Sequence, residues 1–260
     1  MRCASCRATG IEIAPNLDIA RACGVYGVLM SALLAFDTSG ERVHVGVSVG
    51  ETAWVVEDAG ASQASANLLP CVRRVLGRAG IGLHELDAIA FGCGPGAFTG
   101  LRAACSAAQG LAWGAALPVL PIDTLMAVAE DARARVGADD VWVAMDARMG
   151  EIFAGRYLWS DAGWVTLVAP TLVAPDELAL LCTSHPSRWL VGSAPGAFGD
   201  RLRCKPEVGI DPEARPGAHA LLACARAAWV RDGFADPVEA LPLYLRNKVA
   251  LTSAERSMRP

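Results

Sequence analysis

The hydrophobic pattern of the chain becomes regular after Met30. Residues 33–36 form a short apolar run ending in Asp37-Thr38-Ser39-Gly40, after which Val43, Val45, Val47 and Val49 alternate with other residues. A period of two predicts a hairpin whose second strand is half-buried. Residues 52–57 continue as a third strand after the Gly50-Glu51 turn. A helix over residues 62–78 follows, with Leu68, Leu69, Val72, Val75 and Leu76 on one stripe, Gly80 just beyond its end, and Pro70 expected to kink it. Residues 86–92 read as a buried strand, residues 99–117 as a helix stopped by Pro118, residues 119–122 as a strand and residues 124–135 as a helix. The order βββαβαβ is therefore complete by residue 123.

A second unit follows. Residues 141–145, 151–157 and 164–168 read as three more strands, followed by helices over 175–182 and 217–231 and a strand over 189–191. Ala35-Phe36-Asp37 followed by Gly40-Glu41 matches Ala144-Met145-Asp146 followed by Gly150-Glu151. Chance is one explanation of so short a match; the shared strand order favours duplication. The expected lobes are residues 30–137 and 138–260, the second degenerate. Residues 1–29 read as an extension or a misassigned start, because a strand begins directly after Met30.

Composition narrows the classes. With 53% hydrophobic and 19% charged residues, the chain is not of the disordered type. The longest apolar stretch, residues 103–122, is broken by Gln109, Gly110, Gly114, Pro118 and Pro121, so no membrane span is expected. A net charge of -4 does not suit a protein that grips phosphate backbones unaided, and any nucleic acid must be held mainly by a partner. Nine scattered cysteines suit a reducing cytoplasm. Cys3 and Cys6 make a lone C-x-x-C, which is weak evidence for zinc or redox chemistry.

An apolar strand ending in Asp before a tight hairpin, twice, resembles the layout of the actin, sugar-kinase and heat-shock ATPase superfamily. The resemblance implies an α/β fold of two ribonuclease-H-like lobes, each hairpin reaching nucleotide phosphates or magnesium. Asp37, Thr38 and Ser39 retain the small, polar character such a site needs. The second hairpin, Ala147-Arg148-Met149, is bulky, and Val191-Gly192-Ser193-Ala194 keeps one glycine where the superfamily has a Gly-Gly turn. Unaided phosphoryl transfer is not expected.

The most specific run is Gly92-Cys93-Gly94-Pro95-Gly96-Ala97-Phe98-Thr99-Gly100-Leu101-Arg102, between a strand and a helix. Pro95-Gly96 fits the centre of a type II turn, and Thr99 fits a helix cap. Free amides there would receive an anion. Arg102 opposes the helix dipole unless an acid or phosphate compensates it. Gly94, Gly96, Thr99 and Arg102 therefore join Asp37, Thr38 and Ser39 as candidate nucleotide- or anion-binding residues. A tight connection without a ligand is the alternative.

That run, with Leu34-Ala35-Phe36-Asp37-Thr38-Ser39, Asp146-Ala147-Arg148-Met149-Gly150-Glu151 and Tyr244-Leu245-Arg246, resembles the TsaB (YeaZ) family over residues 30 to about 250. The resemblance implies an accessory subunit in threonylcarbamoyladenosine synthesis on tRNA beside the anticodon. Its partners would be a TsaD-type catalytic subunit and a TsaE-type ATPase, with a homodimer in their absence and tRNA met through the complex. It implies no catalytic residue, no metal and no tightly held cofactor, leaving room for weakly bound ATP or ADP at the partner interface.

Thr124 and Val128 stand where TsaD-like chains carry two metal-binding histidines, and Ala64, Ser65 and Ala66 replace a His-Ser-Glu run common in the family. His44, His84, His185 and His219 are isolated, and no G-x-S-x-G elbow is present. The implied partner face comprises Leu68, Leu69, Val72, Val75 and Leu76 on the first helix and Ala104, Ala108 and Leu111 on the second; the same stripes could instead cover their own sheet. Competing readings are an ATP-dependent small-molecule kinase of the same superfamily and a metalloprotease.

Overall fold

The computed structural model describes residues 31–202, 207–231 and 233–246. The proposed extension and the Cys3-Cys6 pair lie outside the described residues. Strands β1 (Ala32–Asp37), β2 (Arg42–Val49) and β3 (Thr52–Ala59) form an antiparallel meander. Strands β4 (Ala88–Gly94) and β5 (Val119–Asp123) add in parallel on the other side of β1, giving the order β3-β2-β1-β4-β5.

The second sheet repeats this plan. Strands β6 (Asp140–Asp146), β7 (Ile152–Ser160) and β8 (Gly163–Val173) are the meander, and β9 (Trp189–Val191) and β10 (Gly209–Asp211) the parallel additions, in the order β10-β9-β6-β7-β8. Asp37 and Asp146 thus end equivalent strands, as the sequence match implied. Strand β10 was not legible in the sequence, because Gly-Ile-Asp is too short to show a period.

Helices α1 (Ala64–Ala79) and α2 (Phe98–Ala115) cover one face of the first sheet, burying Phe36, Val45, Ile89 and Phe91 beneath Leu68, Val72, Val75 and Ala108. Helix α1 runs through Pro70 as one element and ends at Gly80, whose φ of 69° gives it a left-handed cap. Helix α3 (Thr124–Val136) lays Leu125, Val128, Ala129 and Ala132 on Val141, Val143, Phe153 and Tyr157 of the second sheet. The short helices α4 (Pro175–Ser184) and α5 (Ala194–Phe198) pack beside the second sheet.

Helix α6 (Ala218–Val230) returns to the first sheet, where Leu221, Leu222 and Ala225 meet Leu33, Ala35, Ala90 and Ile122. This return corrects the expectation that β2 is half-buried. Val43 to Ser48 are all buried, because α1 covers one face of the strand and α6 the other. Gly46 permits the approach, since a Cβ there would lie 2.8 Å from a Leu222 methyl.

The lobes are also joined by buried polar groups. Tyr157 of β7 donates its hydroxyl proton to the Asp123 carboxylate at 2.6 Å, and the other carboxylate oxygen caps α3 through the amides of Leu125 and Met126. Glu130 of α3 is buried and accepts from Arg133 and from the Trp164 indole at 2.9 Å.

Two outcomes are expected. Truncating Leu222 to Ala removes packing against both Gly46 and β1 and costs about 2–5 kcal/mol, read by denaturant unfolding. Burial raises the Asp123 pKa, an effect only partly offset by hydrogen bonds from Tyr157, Leu125 and Met126. A folded pKa above the unfolded value of about 3.9 gives a contribution that is full below that pH and lost as pH rises through the folded pKa. Asp123→Asn keeps a capping acceptor without the charge, so its stability relative to wild type should improve as pH rises above about 4.

Candidate functional site

The Asp37-Thr38-Ser39 turn is inserted into the connection between β4 and α2. One Asp37 carboxylate oxygen accepts from the Ser39 amide at 2.7 Å and the Ser39 hydroxyl at 2.6 Å; the other accepts from Thr124 Oγ1 at 2.9 Å. Thr124 Oγ1 in turn accepts from the Gly94 amide. Thr38 donates its hydroxyl proton to the Gly100 carbonyl at 2.7 Å, and the Ala97 amide donates to the Ser39 carbonyl at 2.8 Å. Asp37 and Thr38 are both 0% exposed.

The glycines of the Gly92–Arg102 run exist for this insertion. A Cβ at Gly92 would lie 1.7 Å from Asp37 Oδ2, at Gly96 2.4 Å from the Ser39 Cβ, and at Gly100 1.9 Å from the Thr38 carbonyl oxygen. The cradle expected to receive an anion is filled by the protein's own turn. The polar side-chain groups of Asp37, Thr38 and Ser39, expected as candidate ligand residues, make hydrogen bonds inside the fold.

The loop differs from expectation in three further ways. Positive φ, 117°, belongs to Gly94 and not to Gly96, and the Gly94-Pro95 peptide is cis, so Pro95-Gly96 is not the centre of a type II turn. Ala97 occupies the N-cap of α2 without a side-chain cap, and Thr99 is an exposed first-turn residue. Arg102 is held by aromatic side chains: its guanidinium lies 3.9 Å from the centre of the Phe98 ring, and Nε donates to the Tyr244 hydroxyl at 3.1 Å.

The second hairpin is spent as well. Asp146 accepts from the Arg148 amide at 2.8 Å and from its guanidinium at 3.2 Å, while the Asp146 amide donates to Ser193 Oγ. Arg148 and Met149 both hold positive φ, 61° and 59°, each costing about 1–2 kcal/mol for a non-glycine residue. Arg148 also pairs with Glu41, linking the tips of the two hairpins.

Between the hairpins lies a cleft of about 650 Å³. Arg42, Arg148, Arg215 and Arg246 line it, and each is paired with an acid, namely Glu57, Asp146 with Glu41, Glu213, and Glu151. Such a cleft has little unspent positive charge for a polyphosphate. Burial pushes the Cys93 thiol beside it up to about 12, which excludes a thiolate nucleophile at neutral pH. Among the described residues no group of three His, Cys, Asp or Glu is placed to hold a metal ion. Thr124 and Val128, at the positions of the imidazoles in TsaD-like chains, are both buried.

A C-terminal strap, residues 235–246, crosses from one lobe to the other. Its Leu243 amide donates to the Cys93 carbonyl at 2.7 Å, and Tyr244 stacks on Phe98. Arg246 donates to the Ala147 and Arg148 carbonyls and to Glu151 at 2.5 Å. The Tyr244-Leu245-Arg246 run thus ties the glycine-rich loop to the second hairpin.

The expected partner face is also revised. Leu68, Val72, Val75, Ala104 and Ala108 are buried against their own sheet, so they are not available to a partner. Leu69 is 48% exposed, and Leu76 and Leu111 are half-buried in the groove between α1 and α2. The outward surface is instead Ala66, Pro70, Arg73 and Gly77 on α1 with Ser106, Gly110 and Trp113 on α2. The exposed apolar and small residues opposite each buried stripe were the signal for it.

Two sheets of one strand order, with a cleft between their aspartate-bearing hairpins, define a two-lobed α/β protein built on a duplicated plan. Comparison with known proteins narrows this. The family model described as TsaD, tRNA N6-adenosine threonylcarbamoyltransferase, matches residues 56–187. The tRNA threonylcarbamoyladenosine biosynthesis protein TsaB of Haemophilus influenzae is 34% identical over 226 residues, covering 84% of this chain and 94% of that protein. The Escherichia coli protein of the same name is 32% identical over 221 residues, covering 84% and 96%. The solved structure of YeaZ from Pseudomonas aeruginosa superposes with a TM-score of 0.76 at 36% identity, covering 83% of this chain and 100% of that one. The chain belongs to the TsaB (YeaZ) family.

The close packing of the loop separates two kinds of glycine. Gly96→Ala and Gly100→Ala are expected to lower stability by more than about 3 kcal/mol, because backbone must move. Gly110→Ala and Gly114→Ala, where an added Cβ meets nothing within 4 Å, should raise it by up to about 1 kcal/mol each. Thermal melts of the four variants of the isolated chain check both signs.

Proposed function

We propose that this chain is the non-catalytic partner subunit that docks on and activates a TsaD-type transferase in threonylcarbamoyladenosine modification of tRNA next to the anticodon. One observation carries the reading: both hairpin aspartates are engaged by the protein's own groups, while the helical face of α1 and α2 is left uncovered. The contribution of the chain is then conformational. It presents a preformed surface that orders the transferase.

The remaining partners follow the same logic. A TsaE-type ATPase joins the assembly, tRNA is contacted through the complex, and a second copy of the chain covers the helical face when the transferase is absent. The net charge of -4 leaves this chain unsuited to grip a phosphate backbone unaided. ATP or ADP bound at the junction takes its phosphate contacts mainly from the transferase, since Asp37, Thr38 and Ser39 have none to spare. The setting is the cytoplasm; no helix of the described residues is long and apolar enough to cross a membrane.

The kinase reading requires a free carboxylate and a phosphate cradle, and the packing of Asp37 against Gly92 opposes it. Co-purification with the transferase subunit tests the proposal. Leu69→Arg or Gly110→Arg, on the outward face, should weaken association at least tenfold without lowering the melting temperature. Association at wild-type strength in both variants, or ATP turnover by the isolated chain, counts against it.

A further inference from the structure

The edge of a sheet exposes backbone donors and acceptors that are paired, covered or guarded against stray strands. Three of the four edges in this chain are managed in one of these ways. The edge of β5 meets the strap, where Val119 and Ala235 exchange backbone hydrogen bonds of 3.0 and 2.8 Å. The edge strand β3 carries Glu57 and Asp58, which pair with Arg42 and Arg74, and its Val55 carbonyl accepts from Arg78 at 3.3 Å. The edge strand β10 is 3 residues long and ends in Asp211, whose carboxylate accepts from Arg135 at 3.2 Å.

The fourth edge, β8, is different. It is the longest strand among the described residues, at 11 residues, and residues 162–175 contain no charged side chain. Its one substantial neighbour among the described elements is β7. Trp164 is buried, its indole bonded to Glu130, and Val173 is buried at the other end. Between them Val165, Thr166, Leu167 and Ala169 are exposed, Val165 and Leu167 at 44% each. Leu158, directly opposite Val165 on β7, is exposed too, so the apolar surface continues across both strands. Pro170 is the single guard: it has no amide hydrogen to donate, and it limits an open ladder to residues 163–169.

We propose that β8 is a self-association edge, through which two copies of this chain pair antiparallel over residues 163–169 and join their second sheets into one. Charge selects the occupant. An acid brought beside Val165 and Leu167 would be buried without a partner, which is costly, and each of the other three edge strands carries one: Asp123 on β5, Glu57 and Asp58 on β3, Asp211 on β10. A second β8 brings none. A twofold axis that leaves Pro170 outside the ladder passes through Thr166, setting Thr166 against Thr166 and Val165 against Leu167, β-branched and aliphatic pairs of the kind that stabilise antiparallel ladders. Asp161 then faces Thr171 of the other copy, so no like charges meet across the axis. Symmetric pairing also consumes the open edge. The joined sheet runs from one β10 to the other, and no long uncharged edge is left to recruit a third copy.

A ladder of this length covers less than the roughly 800 Å² per partner of a standard interface, so the pairing is reversible and concentration-dependent. It is also independent of the docking role proposed above, because β8 belongs to the second lobe and the helical face to the first.

Sedimentation velocity over a concentration series tests the proposal, using the full chain with Gly110→Arg to block self-association through the helical face. The dimer should persist in this background. Adding Val165→Lys or Leu167→Lys should raise its dissociation constant at least tenfold without lowering the melting temperature. Hydrogen exchange of the amides in residues 163–169 should slow with rising concentration in the parent and not in the lysine variants. A Gly110→Arg chain that is monomeric throughout the series, or that dimerises equally well with either lysine, overturns the inference and leaves the docking role standing. Lysine variants that self-associate normally but bind the transferase more weakly show that another protein occupies β8, which overturns it as well.

Discussion

The insertion of the Asp37-Thr38-Ser39 turn into a glycine-lined loop organises the first lobe and the cleft. It joins the end of β1, the β4 to α2 connection and the start of α3 through hydrogen bonds of 2.6 to 2.9 Å, with Thr124 as the hinge of the network. A buried carboxylate is tolerable when donors surround it, and here an amide and two hydroxyls do so. A cradle that elsewhere would hold phosphate serves here as a structural joint.

From this joint the architecture of the cleft follows. Thr124 begins α3, α3 packs on the second sheet, and α6 packs on the first, so each lobe is completed near the junction by helices of both halves. The strap and the Glu41 to Arg148 pair close the arrangement on the cleft side. Both aspartates and the arginines lining the inter-lobe space are engaged by groups of the chain itself. The outward sides of α1 and α2 carry exposed residues that face neither sheet.

Burial explains why the candidate site was read differently from sequence. Asp37, Thr38, Ser39, Gly94 and Gly96 form a motif that is compatible with an anion cradle and with a tight ligand-free joint, since both need small residues and close backbone approach. The two differ in what fills the space opposite the glycines, and that is the Ser39 side chain and the Thr38 carbonyl. The amphipathic stripes of α1 and α2 posed a similar ambiguity. Leu68, Val72 and Ala108 turned out to face their own sheet, and small and exposed apolar residues interrupt the polar pattern on the opposite side.

Local periodicity by itself determined most strands and helices, their order, the pairing of Asp37 with Asp146 as equivalent strand ends and hence the two-lobed class, because these depend on alternation and capping within a few residues. Family membership was legible for the same reason, through short runs of fixed residues. Tertiary structure alone decided that β2 is buried on both faces, that α6 returns to the first sheet, that Arg102 rests on Phe98 and Tyr244, and that the strap lies along α2. Each of these joins residues far apart in the chain, and burial and pairing at such distances depend on which surfaces meet after folding, a quantity that local pattern does not contain.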